Sequence, residues 1–307
     1  MGRTMDNLDW IAVDWGSSHL RIWLMDAQGD VLDHVQSDQG MTRRSPDQFE
    51  PTLLDHVGEA LPEGRAVPVI CCGMAGARQG WAEAPYAKVP CKPAELNGVT
   101  TVQSTDPRLK VHILPGVMQA SPADVMRGEE TQIAGFLKGN PKFDGVICLP
   151  GTHSKWVHIS AEEIVSFKTF MTGELFALLF QGSVLQHSVS GDGWDDAAFE
   201  TAVSDAMSRP AAVAGNLFSI RAETLLNDLS SDAARARISG LLIGIELAAA
   251  RPYWLGQEVA VVGESNLARA YDSALTQQGA FVRNIAADDM TLNGLRAAYA
   301  RLIGDDT

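Results

Sequence analysis

The fold is decided by residues 10–25, which read WIAVDWGSSHLRIWLM. An apolar run ends in Asp14 and an alternating run follows it, so the stretch predicts a β-hairpin. The tight turn between the runs carries Gly16, Ser17 and Ser18. An acid at a strand end beside a glycine and two hydroxyls suits a phosphate and its metal, because the backbone can approach closely and Mg²⁺ prefers oxygen ligands. Taken alone, so short a motif more often marks a hairpin that is only structural.

The same pattern returns in the second half of the chain. Residues 146–149 form an apolar run, residues 150–154 form a polar turn that reads PGTHS, and residues 155–159 alternate again. A third predicted strand follows each copy, at residues 31–36 and 163–167. A duplicated unit half a chain apart is a fold-level signal that neither copy gives alone.

A turn-rich break separates the two copies. Residues 139–145 read GNPKFDG and combine the residue types that interrupt helices and strands. The sequence therefore predicts an α/β protein of two domains, residues 1–138 and 139–307. The last predicted helix, over residues 289–303, is compatible with packing back across the interface between the two domains.

Composition and charge argue against several classes of partner. The chain has 307 residues, 46% hydrophobic and 20% charged, which is typical of a soluble globular protein. A formal net charge of −14 argues against nucleic acid or an anionic membrane surface, and no apolar run has the length of a membrane span. The four cysteines show no metal or disulfide spacing, and the N-terminus does not read as a signal peptide. We therefore expect a cytoplasmic protein, either a monomer or a homodimer.

Several common nucleotide and hydrolase motifs are absent from the sequence. The chain lacks the P-loop pattern, the GxGxxG dinucleotide pattern, the GxSxG elbow and the HExxH metal motif. It has instead a third glycine turn at residues 261–265, where a predicted strand runs into a helix. Two hairpins that face each other can clamp the β- and γ-phosphates of a nucleotide, and the late turn can hold its adenosine.

Asp124 lies between the two hairpins, where an N-cap belongs. The sequence predicts that it begins a helix over residues 125–137. An acid at a helix start can take a proton from a substrate hydroxyl as general base, and a plain N-cap is the alternative. Glu129 and Glu130 follow on the predicted helix, where a solvated or salt-bridged face is as consistent with the sequence as a metal role.

Five motifs, in order along the chain, carry a resemblance to a known family: Asp14-Trp-Gly-Ser-Ser, Gly73-Met-Ala-Gly-Ala-Arg-Gln-Gly-Trp81, Asp124-Val-Met-Arg-Gly-Glu-Glu-Thr-Gln132, Leu149-Pro-Gly-Thr-His-Ser-Lys-Trp156 and Thr169-Phe-Met-Thr-Gly-Glu-Leu-Phe-Ala-Leu178. From about Ile11 to Ile303 the chain resembles the 2-dehydro-3-deoxygalactonokinases, also called 2-keto-3-deoxygalactonate kinases. The resemblance implies the superfamily of actin, sugar kinases and heat-shock chaperones, with two ribonuclease-H-like domains around an ATP cleft. The duplicated hairpin is what that fold requires.

The resemblance also implies a reaction. ATP and 2-dehydro-3-deoxy-D-galactonate would give ADP and the 6-phosphate, which an aldolase would consume in galactonate breakdown. Asp14 would order Mg²⁺ through water. The residues that would contact ATP are, for the phosphates, Gly16, Ser17, Ser18, Gly151, Thr152 and His153, and, for the adenosine, Gly263, Ser265 and Asn266. Leu149 and Pro150 stand where the second phosphate motif usually has an acid, so a direct metal role for that hairpin is in doubt.

A sugar acid needs a donor for its carboxylate. Arg78 in the glycine loop is the first candidate, because a guanidinium can bind a carboxylate through two hydrogen bonds. Arg21 and Arg127 are the others, and each is equally consistent with a structural ion pair. Glu174, in a Thr-x-Glu pattern typical of helix capping, is a candidate for the sugar pocket. Trp15 and Trp81 are consistent with either a pocket wall or the core.

The sequence therefore predicts an ATP- and Mg²⁺-dependent sugar-acid kinase, with Asp124 as the base. Two alternatives stay open. One is a kinase for a related sugar or sugar acid. The other is a nucleotide-gated binding protein of the same fold with little turnover.

Overall fold

A computed structural model describes residues 5–93 and 97–305, except for the side chains of Ser265 and residues 303–305. The strands of this part of the chain are β1 (Trp10–Trp15), β2 (Leu20–Met25), β3 (Val31–Ser37), β4 (Val67–Gly73), β5 (Tyr86–Lys88), β6 (Thr100–Val102), β7 (Leu109–Ile113), β8 (Gly116–Ala120), β9 (Ala123–Met126), β10 (Gly145–Leu149), β11 (Ser154–Ser160), β12 (Glu163–Phe170), β13 (Glu258–Gly263) and β14 (Phe281–Ala286). The α-helices are α1 (Phe49–Val57), α2 (Glu129–Gly139), α3 (Thr172–Gly182), α4 (Asp196–Ser208), α5 (Val213–Leu226), α6 (Ser231–Ala249), α7 (Arg251–Trp254), α8 (Ser265–Gln277) and α9 (Ala287–Asp305). Short 3₁₀ turns lie at Met41–Arg43, Pro46–Gln48, Met74–Gly76, Val184–His187 and Pro210–Ala212.

The chain divides into two compact units. Unit 1 comprises Met1–Phe143, Ala161–Val165 and Ala287–Thr307. Unit 2 comprises Asp144–Ser160 and Ser166–Ala286. The last helix therefore groups with unit 1, and the domain boundary at residue 138 stays a prediction.

Unit 1 is built on a sheet with the strand order β3-β2-β1-β4-β7-β6. Strand β1 pairs antiparallel with β2, with Asp14 opposite Arg21, and it pairs parallel with β4. The predicted hairpin is confirmed, and the carboxyl ends of β1 and β4 lie side by side. Ligands of α/β sheets bind outside the carboxyl ends of parallel strands, so this edge is the natural place for a site.

Unit 2 repeats the plan of unit 1. Its sheet has the order β12-β11-β10-β13-β14, in which β10 pairs antiparallel with β11 and parallel with β13. Strand β13 in turn pairs parallel with β14. If β10 is matched with β1, this order is the same as β3-β2-β1-β4-β7 of unit 1. The duplication and the α/β fold class that the sequence predicts are confirmed.

Strand β1 is buried on both faces. Ile11 and Val13 belong to the same core cluster as Phe49 of α1. On the other face the ring of Trp10 stacks on Tyr299 of α9, with ring centroids 4.2 Å apart. Burial on both sides explains why β1 is apolar at almost every position instead of at alternate positions.

Helices α2 and α9 pack closely in unit 1 because each presents a glycine to the other. A Cβ atom at Gly135 would overlap the carbonyl oxygen of Met290, and one at Gly294 would overlap that of Thr131. This contact fixes α9, whose first turn carries Asp288, beside the sheet. In the part of the chain that the structure describes, none of the helices is both long enough and apolar enough to cross a membrane.

Candidate active site

The first turn is organised by an ion pair at the end of β1. Arg21 donates to Oδ2 of Asp14 from both Nε, at 3.1 Å, and Nη2, at 2.5 Å. The antiparallel register places the two side chains opposite each other, so the pair follows directly from the hairpin. Arg21 also pairs with Asp288, at the start of α9. The guanidinium therefore lies between two carboxylates, and a contact with a substrate carboxylate would have to displace one of them.

A neighbouring loop holds the turn after Asp14. The backbone N–H groups of Met41 and Thr42 each donate to a turn carbonyl at 3.0 Å, from Gly16 and Ser17 respectively. Ser17 and Ser18 are exposed, and Gly16 is half-buried. The structure thus gives the predicted phosphate-binding residues a fixed backbone and free access to solvent.

Helix α2 begins close to Asp14. Gly73 ends β4 with a φ of +84°, and a Cβ atom there would lie 3.2 Å from Oδ1 of Asp14. A Cβ atom at Gly128, the N-cap of α2, would lie 3.3 Å from the Cα of Gly73. Both positions therefore need glycine for close approach, and together they bring the positive end of the helix dipole to the first turn.

The predicted setting of Asp124 is wrong. Asp124 lies in β9, opposite Gln119 of β8, and α2 begins only at Glu129. The two strands form a hairpin, and strand pairing outweighs the capping signal that the sequence displays. Oδ1 of Asp124 accepts the N–H of Val125 at 2.9 Å, and the residue is half-buried.

Two glutamates occupy the helix start that the sequence assigns to Asp124. Oε2 of Glu129 accepts the N–H of Arg127 at 3.1 Å. Glu130 is 4% exposed, and its carboxylate oxygens accept the N–H of Gly128 at 2.9 and 2.8 Å. Burial, followed by the charge of Glu129, raises the pKa of Glu130 to about 8, and the Gly128 hydrogen bond opposes the rise. The helix start is thus rich in carboxylates beside the first turn.

The thiol of Cys72 lies against the other oxygen of Asp14. Its Sγ is 3.6 Å from Oδ1, and burial, followed by the charge of Asp14, raises the pKa of the thiol well above its ordinary value. The thiol is therefore protonated and donates to the carboxylate. The residues that the structure describes contain no group of three or more His, Cys, Asp or Glu side chains placed to hold a metal. A single carboxylate fits Mg²⁺ that keeps its waters and takes its other ligands from nucleotide phosphates.

The second turn, residues 150–153, is held by the start of α3. The N–H of Glu174 donates to the carbonyl oxygen of Thr152 at 2.9 Å, and its carboxylate lies 2.6 Å from Nε2 of His153. Gly173 packs so closely on Gly151 that a Cβ atom would overlap the carbonyl oxygen of Gly151. The structure thus places Glu174, a predicted sugar-binding residue, beside the second phosphate turn.

The third turn lies next to the second within unit 2. Gly263 ends β13, and a Cβ atom there would lie 3.4 Å from Cδ of Pro150. The cap of α8 is Glu264, the residue that follows Gly263. Asn266 accepts a hydrogen bond from Arg269, and the side chain of Ser265 is outside the described residues. The predicted phosphate and adenosine turns are therefore neighbours.

The remaining candidates for the sugar acid differ in exposure. The side chain of Arg78 is 80% exposed, and its Nε is 3.5 Å from Glu83. Arg127 donates from Nη2 to the carbonyl oxygen of Ala84 at 2.7 Å, while its buried Nε and Nη1 have no hydrogen-bond partner among the described residues. Trp15 is fully buried and is a core residue, not a pocket wall.

Sequence reasoning overlooks Glu246. This residue lies in the second half of α6, where residues 238–249 carry no other charged side chain, and it is 1% exposed. Its carboxylate accepts hydrogen bonds from Trp156, Thr172 and Tyr271. One charged residue inside an apolar helix is a signal that the sequence does contain, because such a residue needs buried partners.

The two sheets share one strand order, and in each a glycine turn follows the first strand of the unit. This is the fold of the actin-like ATPases and sugar kinases. An activator of 2-hydroxyisocaproyl-CoA dehydratase from Clostridium difficile, solved with bound ADPNP, shares this fold with a TM-score of 0.50 at 12% identity over 97% of each chain. The chain belongs to the 2-keto-3-deoxy-galactonokinase family, whose model matches residues 14–298.

Relatives that carry the name 2-dehydro-3-deoxygalactonokinase align with almost the whole chain. A Rhizobium meliloti (strain 1021) protein provisionally named 2-dehydro-3-deoxygalactonokinase is 41% identical over 94% of this chain and 95% of its own. The 2-dehydro-3-deoxygalactonokinase of Escherichia coli (strain K12) is 34% identical over 94% of this chain and 96% of its own. A Sinorhizobium meliloti protein, provisionally given that name, has a crystal structure with a TM-score of 0.88 at 41% identity, covering 96% of both chains.

Proposed function

We propose that this protein transfers the γ-phosphoryl group of ATP to the 6-hydroxyl of 2-dehydro-3-deoxy-D-galactonate. The products are ADP and 2-dehydro-3-deoxy-6-phosphogalactonate. The observation that carries the proposal is the family match over residues 14–298. The duplicated sheets support it, because each supplies a glycine turn of the kind that binds phosphate.

The three turns divide the contacts with ATP. Residues 16–18 and 151–153 bind the phosphates, and Gly263, Ser265 and Asn266 bind the adenosine. The dipole of α2 favours negative charge beside the first turn. Asp14 would hold Mg²⁺ through water, and the bound ion would supply charge neutralisation for the transferred phosphoryl group. Because Arg21 engages Asp14, we infer that the guanidinium shifts toward Asp288 or the phosphates as the nucleotide binds.

The base belongs to the segment from β9 to the first turn of α2. Glu129 is the first candidate, because it is an acid at the helix start beside Gly73 and Asp14. Asp124 is the second, from its place in the motif order. Whichever acts accepts the hydroxyl proton of the sugar acid as the oxygen attacks phosphorus.

Arg78 is proposed to bind the substrate carboxylate. Its exposed guanidinium extends from the loop that follows β4, whose end lies beside Asp14. Glu174 and Arg21 are proposed to complete the substrate contacts. The cysteine content supports a cytoplasmic location, and the charge supports a monomer or a homodimer equally.

A coupled assay of ADP release tests the proposal against its alternatives. The panel is 2-dehydro-3-deoxy-D-galactonate, its gluconate epimer, D-galactonate and D-galactose, with Asp14→Ala as a control for contaminating kinases. We expect the greatest kcat/KM with the first compound. Preference for another member would favour a kinase for a related sugar or sugar acid. Binding of ATP without sugar-dependent ADP release would favour a nucleotide-gated binding protein.

A further inference from the structure

Behind the second turn lies a buried carboxylate that the proposed mechanism does not use. Glu246 is 1% exposed, and it accepts hydrogen bonds from Nε1 of Trp156 and Oη of Tyr271, both at 2.8 Å, and from Oγ1 of Thr172. The three donors are neutral groups. Burial raises the pKa of Glu246 above its ordinary value, and these hydrogen bonds oppose the rise.

Each donor belongs to an element that positions part of the proposed ATP site. Thr172 begins α3, whose next residues pack on Gly151 and Thr152. Trp156 lies on β11, the strand that leaves the second turn. Tyr271 lies on α8, the helix that follows the third turn.

A further link ties Tyr271 directly to the end of the second turn. Its hydroxyl is 2.8 Å from Oγ of Ser154, the first residue of β11, and both side chains are buried. Glu246 thus joins the start of α3, the exit of the second turn and α8 through one carboxylate. A buried carboxylate is costly unless it is hydrogen-bonded, and losing one partner leaves the others unsatisfied, so the group responds as a unit.

We propose that Glu246 is a positioning residue for ATP. Its carboxylate holds the second phosphate turn and the adenosine helix α8 in one fixed arrangement. The inference rests on the proposed kinase function for its kinetic consequence. Beyond that function, Glu246, which touches no substrate, is given a role in positioning the groups that bind the nucleotide. Contacts with the sugar acid that come from unit 1, such as those of Arg78, do not depend on this carboxylate.

The test uses a matched pair of tryptophans. Trp156 and Trp254 belong to one core cluster, and their indole N–H groups donate at 2.8 Å to neighbouring residues of α6, the Glu246 carboxylate and the Leu247 carbonyl oxygen respectively. Trp156→Phe and Trp254→Phe therefore remove the same group from the same core. Glu246→Gln and Tyr271→Phe complete the set.

We measure KM for ATP, KM for the sugar acid, the thermal midpoint, and the Kd for ADP by calorimetry. Glu246→Gln should raise KM for ATP and Kd for ADP about tenfold. Trp156→Phe and Tyr271→Phe, whose donors lie outside α3 and its Glu174, should raise both about threefold and leave KM for the sugar acid within about twofold. Trp254→Phe should lower the thermal midpoint as Trp156→Phe does, yet leave every KM and the Kd unchanged. The wild-type protein, with glutamate at position 246, is the reference for all of these values.

The proposal is overturned if Trp156→Phe and Trp254→Phe have equal effects on nucleotide binding, or if Trp156→Phe and Tyr271→Phe weaken the sugar acid as much as the nucleotide. If Glu246→Gln does not fold, the tryptophan pair and Tyr271→Phe decide alone. If the wild-type protein binds ADP but does not produce ADP from ATP when a sugar acid is added, the proposed function fails. The Kd ratios for ADP then still test the role of Glu246.

Discussion

The carboxylate at the end of β1 is held by a charged partner, whereas the carboxylate buried behind the turn at the end of β10 is held by neutral donors. Asp14 pairs with Arg21, and the start of α2 adds Glu129. In the second unit Leu149 stands two residues before the glycine of the turn, as Asp14 does in the first unit. The side chains behind that turn donate to Glu246 instead.

The contrast indicates how a duplicated fold divides one reaction. One copy keeps carboxylates at the end of the strand and at the start of α2, where the proposed function needs a hydrated metal and a base. The other has Leu149 at the end of the strand and buries the carboxylate of Glu246 behind the turn. The same strand order therefore supports two different electrostatic environments.

The largest effect is expected at Asp14. Asp14→Asn keeps the shape of the side chain but removes the charge that is proposed to order the metal, so kcat/KM should fall about 10³-fold or more. The measurement is ADP release as a function of Mg²⁺ concentration. Asp38→Asn is the control, since Asp38 lies just past β3 with a side chain that is 84% exposed. Normal turnover with unchanged Mg²⁺ dependence in Asp14→Asn would remove the charged role of the first turn.

Removal of the base comes next in size. Glu129→Gln should lower kcat about 10²- to 10³-fold with little change in the Kd for ADP, because general-base catalysis contributes about that much. Asp124→Asn, five residues earlier in sequence and on a strand, should change kcat by less than about threefold by the same reasoning. The opposite ranking in steady-state kinetics would transfer the base to Asp124.

The two sheets also differ in how tightly their second inner strands end. Gly73 closes β4 with a φ of +84°, and a Cβ atom would lie 2.6 Å from the carbonyl oxygen of Trp15. Gly263 closes β13 without such crowding, its nearest contact being 3.4 Å. Gly73→Ala should therefore lower the free energy of unfolding by about 3 kcal/mol, and Gly263→Ala by less than about 1 kcal/mol.

Gly29→Ala separates backbone strain from crowding at Gly73. Gly29 has the same φ of +84°, and nothing lies within 4 Å of its Cβ position. Its substitution should cost about 1 kcal/mol, the price of the positive φ alone. Equal losses at Gly29 and Gly73 in urea unfolding would contradict the close approach of β4 to Asp14.

The last prediction concerns pH and the buried carboxylate of unit 1. The pKa of Glu130 is raised to about 8 from an ordinary 4.5, so the folded state holds a proton that the unfolded state has lost. Its contribution to stability is complete below about pH 4.5 and is lost as the pH rises through 8, with a slope of at most about 1.4 kcal/mol per pH unit. Glu130→Gln should flatten the pH dependence of unfolding over that range. An unchanged slope would show that Glu130 is ionised throughout.

The sequence predicts the two hairpins well because their apolar runs and glycine turns are local signals. It fails at Asp124, where the pairing of β9 with β8 outweighs a capping pattern and moves the helix start to Glu129. It also fails at Glu246, because the partners Thr172 and Trp156 are 74 and 90 residues away along the chain. A local pattern does not show which distant donors will surround a buried charge.

Arg21 has two ion-pair partners that the sequence alone does not reveal. A strand arginine is consistent with either a substrate contact or an ion pair. The antiparallel register sets it opposite Asp14, and the packing of α9 adds Asp288. Both partners depend on tertiary structure, one on strand register and the other on a helix near the end of the chain.

The most direct test of the central claim is to follow the phosphoryl group itself. The protein is incubated with Mg²⁺, ATP and 2-dehydro-3-deoxy-D-galactonate, and the products are read by phosphorus NMR with proton coupling. The account predicts ADP together with a phosphomonoester coupled to the methylene protons at carbon 6. Inorganic phosphate as the sole phosphorus product besides ADP, or a phosphoester on another carbon, would contradict it.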